Sequence, residues 1–200
     1  MDAVGVQDAV AALRRSEAVL LPADGVYGMC ALASDKSAVL ALYALKGREA
    51  RQPTAVIAPS IKSLLAFLPD IPAHERLAIE RLLPGPFTLV VSNPASRYPW
   101  LSGDRSATLG VRVANLPGSS QAVLDAVGPV AATSANEPGE PPAASLSDVT
   151  ARIRAGCGAE VDAGALPGTP STVVDITSTP PLVLREGLVS AAETLALLAS

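Results

Sequence analysis

Short apolar runs of strand length alternate with helix-like segments along almost the whole 200-residue chain. AVLLP at 18–22, TAVIA at 54–58, FTLVVS at 87–92, ATLGVRV at 107–113, PVAAT at 129–133, STVVDI at 171–176 and PLVLR at 181–185 predict strands. Between them, helices are expected over 6–15, 35–46, 60–68, 73–83, 119–127, 147–155 and 190–198. No repeat or low-complexity linker interrupts the alternation, so the pattern predicts one α/β domain over 1–200 with a mixed sheet. Because 49% of residues are hydrophobic but only 3% are aromatic, its core must be built mainly from Ala, Val and Leu.

Charge narrows the function classes. Fifteen basic against nineteen acidic residues give a net charge of -4, which offers no global field for nucleic acid, so any anion site must be local. The first residues lack the basic-then-apolar order of a signal peptide and no apolar run is long enough for a bilayer, which predicts a cytoplasmic protein without membrane contact. Cys30 and Cys157 belong to no CxxC pair and read as small buried hydrophobes. With His74 the only histidine, a serine triad or a histidine-rich metal site is nearly excluded.

Three places concentrate polar groups. Lys46, Arg48 and Arg51 follow a helical run in which Leu40, Leu42, Tyr43 and Leu45 supply an apolar stripe and Gly47 suits the left-handed position that ends a helix. The cations on this exposed exit either complement the helix macrodipole or form an anion site. In ATLGVRV, Thr108, Gly110 and Arg112 share one face, which suits either a solvated edge strand or a cavity floor where Arg112 grips a carboxylate or phosphate. In VAATSANEPGEPP, Thr133, Ser134 and Asn136 end a strand, as turn formers or as ligand contacts at a strand's carboxyl end. Ser171 and Arg185 mark a further such place, and Ser190 with Glu193 writes a capping box for the last helix.

The order of PADGVYGMC, KGRE, LPGPFTLVV, GVRV, TSANEPGEPP, PSTVVDI and VLREG resembles the YrdC-like family of L-threonylcarbamoyladenylate synthases, in the short single-domain form, from about Leu20 to Ser190. The resemblance implies a twisted mixed sheet flanked by helices around a deep basic cavity. It also implies condensation of L-threonine, bicarbonate and ATP, with Mg²⁺, to threonylcarbamoyl-AMP and pyrophosphate. That product feeds t6A modification of tRNA through threonylcarbamoyl transferase proteins, the partners the pathway implies.

Matched position by position, Lys46, Arg48, Ser134 and Asn136 fall on the family's K-x-R and S-x-N catalytic set. Arg48, Gln52, Thr108, Ser134 and Arg185 fall on nucleotide-binding positions, and Gly25, Arg112 and Ser171 on threonine-binding ones. The chain departs from the pattern at Ala23 and Gly25, where the family has threonines, and at Ile57, Glu49 and Glu137-Pro138. These departures fall mainly on the amino-acid half of the site. They leave open a paralogue that binds nucleotide or RNA with a different acyl-adenylate or none, and a weak RNA-binding module without catalysis.

Overall fold

The computed structural model describes residues 3–49 and 51–199, with the backbone alone at residues 3 and 4. Its strands are β1 (Val19–Pro22), β2 (Tyr27–Leu32), β3 (Ala55–Ile57), β4 (Phe87–Ser92), β5 (Thr108–Arg112), β6 (Val130–Ser134), β7 (Ala159–Glu160), β8 (Thr172–Asp175) and β9 (Leu182–Arg185). Its helices are α1 (Ala3–Arg14), α2 (Lys36–Lys46), α3 (Ile61–Phe67), α4 (Ala73–Leu82), α5 (Pro99–Ser102), α6 (Gly118–Val127), α7 (Ala151–Ala155) and α8 (Ala191–Ala199). The strands form one sheet in the order β7-β1-β2-β6-β3-β5-β4-β8-β9. β7 pairs with β1, β3 with β5 and β4 with β8 in parallel, and the remaining neighbours are antiparallel, so the sheet is mixed as expected.

The two faces of this sheet are covered unequally, and that imbalance makes the site. Strand residues alternate between faces. Leu20, Met29, Val56, Leu89, Val91, Leu109, Val111 and Val174 pack on one side with Val39, Leu42, Leu64 and Ile79 of the helices. On the other side α1 and α6 supply Ala9, Ala12, Leu13, Val123 and Leu124, which cover Val19, Leu21, Cys30, Ile57 and Val130. Beyond Ile57 that second face carries Ala55, Thr88, Gly110, Arg112 and Val173, and these line cavities rather than core. Small and polar side chains there give a helix nothing to bury against, so the face stays open.

β5 lies between β3 and β4, which removes the edge-strand reading of its polar face. Helix α2 is delimited as its sequence suggests. Asp35 accepts from the backbone of Ser37 at 2.9 Å and Ala38 at 3.1 Å, and Gly47 adopts φ 67° at the other end. There the Gly47 amide donates to Ala44 O at 3.2 Å and the Arg48 amide to Tyr43 O at 2.9 Å, the paired bonds of a Schellman stop. Its buried face comprises Ala38, Val39, Leu42, Tyr43 and Lys46, so the stripe is shifted from the expected one and Leu40 is exposed.

Three elements escape the sequence pattern. β2 is apolar on both faces because it is inserted between β1 and β6, so it shows no period-2 alternation. β7 and α5, of two and four residues, are too short to leave a period. The helix expected over 147–155 is split into a 3₁₀ turn, Leu146–Asp148, and α7, because Val149 is extended and Thr150 caps a new start. At the last helix the Ser190 hydroxyl accepts from the Glu193 amide at 3.3 Å, one half of the anticipated capping box.

Candidate functional site

A cavity of about 320 Å³ occupies the uncovered part of the sheet, and its lining includes Gly25, Arg48, Arg112, Ser134, Ser171 and Arg185. Its ionisable lining is three arginines against one carboxylate, Asp24. A neighbouring depression of about 400 Å³ shares Arg48 and Ser134 with it and adds Lys46, Gln52 and Asn136. A third, of about 200 Å³, shares Thr54, Ala55 and Thr88 and adds Thr108, Gly110 and Arg105. All ten candidate residues from the sequence therefore fall on one connected region, with Thr108 one compartment away from the arginines.

Lys46 is not on an exposed exit, as the sequence led us to expect, but only 8% accessible. Its ammonium donates to Ser134 O at 2.8 Å, to Asn136 Oδ1 at 2.8 Å and to Asn136 O. Three N–H groups meet three acceptors, so Lys46 ties the carboxyl end of β6 to the end of α2. Burial, with the nearby Arg48 charge adding to it, lowers its pKa to about 8. The Asn136 amide in turn donates to Glu137 O at 3.1 Å and to Glu140 O at 2.5 Å, which fixes the following loop.

Arg48 is aimed inward by the Schellman turn. It donates to Pro53 O and, at 3.4 Å, to the Thr133 hydroxyl, and it lies 6.0 Å from the Tyr43 ring centre. Its buried Nε has no hydrogen-bond partner among the described residues. Burial lowers the Arg48 pKa, which marks a desolvated cation. Arg51, the third cation of the cluster, points away and sits 3.7 Å from exposed Glu49. Glu49 thereby turns outward, and Glu137 is held by Arg152 at 2.6 Å and Thr150 at 2.8 Å.

On the far side, Ser171 and Thr88 share a hydroxyl hydrogen bond of 2.7 Å, and Arg185 donates to Ser171 O at 2.8 Å. Burial and then the Arg112 charge lower the Arg185 pKa. Arg112 donates to Asp24 Oδ1 at 2.6 Å and to Phe87 O at 3.3 Å. Asp24 and Thr88 were passed over in the sequence. Thr88 was legible as the polar alternate between Phe87 and Leu89, and Asp24, which no period singles out, stands inside the PADGVYGMC motif between Ala23 and Gly25.

Gly25 has a steric reason. A methyl group there would lie 2.0 Å from Thr169 O, because the segment 162–170 packs against residues 25–27. Gly168 donates to Gly25 O at 2.8 Å, and the Tyr27 hydroxyl accepts from Ala163 N at 2.9 Å while lying 2.9 Å from both Asp162 Oδ1 and Gly164 O. Ala23 and Ile57 complete this end of the lining without a hydroxyl or imidazole.

The remaining candidates carry no site. Cys30 is buried as expected but Cys157 only partly so, and burial pushes the Cys30 thiol up to about 12 and the Cys157 thiol up to about 11. His74 is 69% exposed on α4. No group of three or more His, Cys, Asp or Glu side chains arranged for a metal occurs among the described residues.

Comparison with known proteins shows the family of the chain. A threonylcarbamoyl-AMP synthase of Chromohalobacter salexigens is 36% identical over 175 residues, covering 86% of this chain and 93% of that protein. The crystal structure of P. abyssi Sua5 complexed with L-threonine superposes with a TM-score of 0.84 at 30% identity, over 96% of this chain and 56% of that longer one. E. coli YciO shares the fold, with a TM-score of 0.83 at 22% identity over 94% of this chain and 92% of that one. The Sua5/YciO/YrdC family model, described as "Telomere recombination", matches residues 11–187, and the chain belongs to that family.

Proposed function

We propose that this chain, acting as one catalytic unit, condenses L-threonine, bicarbonate and ATP to threonylcarbamoyl-AMP and pyrophosphate. The observation that carries the reading is the convergence of Arg48, Arg112 and Arg185 with Ser134 and Ser171 on one cavity. Relatives named for the same reaction support it.

The amine of threonine attacks bicarbonate, giving a carbamate and water. A carbamate oxygen then attacks the α-phosphorus of ATP, and the bond to the bridging oxygen breaks to release pyrophosphate. Charge builds on the phosphoryl oxygens, so fixed cations at low dielectric supply the catalysis and no covalent enzyme intermediate is needed. Arg48, with its unpartnered Nε, and Arg185 take the phosphates, assisted by Ser134, Thr108 and Gln52. Lys46 and Asn136 act through the loop they hold. Arg112 receives the threonine carboxylate beside Ser171 and Gly25.

A lone carboxylate already paired to Arg112 makes no protein cage for a metal. Mg²⁺ accordingly enters as the Mg²⁺ complex of ATP, with the phosphates as its main ligands. The product would pass to threonylcarbamoyl transferase proteins that modify tRNA.

The test is incubation with ATP, Mg²⁺, bicarbonate and a panel of amino acids, following pyrophosphate and product mass. Threonine-dependent pyrophosphate with the mass of threonylcarbamoyl-AMP is expected. ATP hydrolysis indifferent to threonine refutes the assignment and favours a paralogue with another acyl group, a reading to which the apolar Ala23, Gly25 and Ile57 lend weight.

A further inference from the structure

Among the described residues, Asp24 is the single carboxylate lining the cavity of about 320 Å³, and its two oxygens are not alike. Oδ1 accepts the 2.6 Å bond from Arg112, while Oδ2 is buried with no partner among the described residues. The side chain is 9% accessible and that of Arg112 11%, so neither group reaches bulk water readily. A buried carboxylate oxygen without a donor is costly, and a ligand that supplies the donor offsets that cost.

Arg112 also retains capacity. Its Nε goes to Phe87 O and its Nη2 to Asp24, which leaves guanidinium hydrogens free for another acceptor. An anion acceptor on Arg112 and a cation acceptor on Asp24 thus lie side by side on one wall of the cavity. An α-amino acid carries the complementary pair on adjacent carbons.

We propose that Asp24 is a substrate-recognition residue, with Oδ2 accepting from the α-ammonium of the amino acid whose carboxylate Arg112 holds. This rests on the synthase reading and deepens it. The contact holds the amine, which must become the nucleophile, at a fixed point beside the carboxylate site of Arg112. A divalent cation fits Oδ2 less well, because Asp24 would be its only carboxylate in the cavity and its other oxygen is committed to Arg112.

The experiment measures binding of L-threonine and of 3-hydroxybutyrate, which is threonine without its amine, to the full chain and its Asp24→Asn and Asp24→Glu variants. The parent chain should prefer threonine by about tenfold or more, as a charged hydrogen bond requires. Asp24→Asn, which keeps an oxygen for Arg112, should narrow that preference to about twofold with ATP affinity unchanged, and Asp24→Glu should restore part of it. Unchanged discrimination in Asp24→Asn overturns the proposal. So does equal binding of the two ligands by the parent chain, a result that needs no variant to fold. If the parent chain prefers another α-amino acid with the same dependence on Asp24, the threonine assignment fails and the ammonium contact stands. If it binds no α-amino acid, both fall.

Discussion

Lys46 and Arg48 stand two positions apart and do different work. Lys46 spends all three hydrogens on Ser134 and Asn136, so Lys46→Ala strands buried acceptors and should cost about 1–3 kcal/mol of stability, read from a urea unfolding midpoint. It should also abolish pyrophosphate release. Arg48→Ala removes a cation that faces the cavity, and should raise the ATP requirement while leaving that of threonine within about twofold in steady-state kinetics. Gly25 offers the reverse test, since restoring a side chain there is harmful. Gly25→Ala must displace Thr169 O and should destabilise the chain by about 1–3 kcal/mol, with faster proteolytic cleavage in 162–170.

Among the secondary-structure elements, α2 governs the site through its ends. Ser16 and Ser37 hydroxyls, in that order, together with the Ala38 amide, lower the Asp35 pKa from 3.8 to about 2. The folded form therefore releases this proton more readily than the unfolded chain. The stability this confers is complete above about pH 4 and fades as pH falls towards 2. Asp35→Ala should cost about 1 kcal/mol at pH 7, the usual worth of such a cap, and the loss should shrink in acid when both proteins are unfolded in parallel. The far end of α2 was legible because Gly47 is the one residue there that takes φ 67° without strain. The burial of Lys46 was not, since nothing local to KGRE reveals that β6 ends against it. The same limit hid Asp24, whose partner Arg112 is contributed by a strand far along the chain, and β2, whose apolar run reads as a strand only once both neighbours are known.

The whole molecule sets a small basic cavity in an acidic body. Its net charge of -4 should keep affinity for duplex RNA in the non-specific range of about 10⁻⁴ M or weaker at physiological salt, with a shallow salt slope in a filter-binding or anisotropy titration. Tight, steeply salt-dependent binding would identify an RNA module instead. The sheet order also separates neighbours widely in sequence, since β6 is placed between β2 and β3, and β8 and β9 close the far edge. Arg185 comes from β9 and Ser171 is the residue before β8, whereas Asp24 and Arg48 come from the first quarter of the chain. A nascent polypeptide still threaded in the ribosome consequently holds only part of the cavity wall. The pocket can close only after β9 has emerged from the exit tunnel, so the candidate chemistry cannot start while the strand that carries Arg185 is still enclosed.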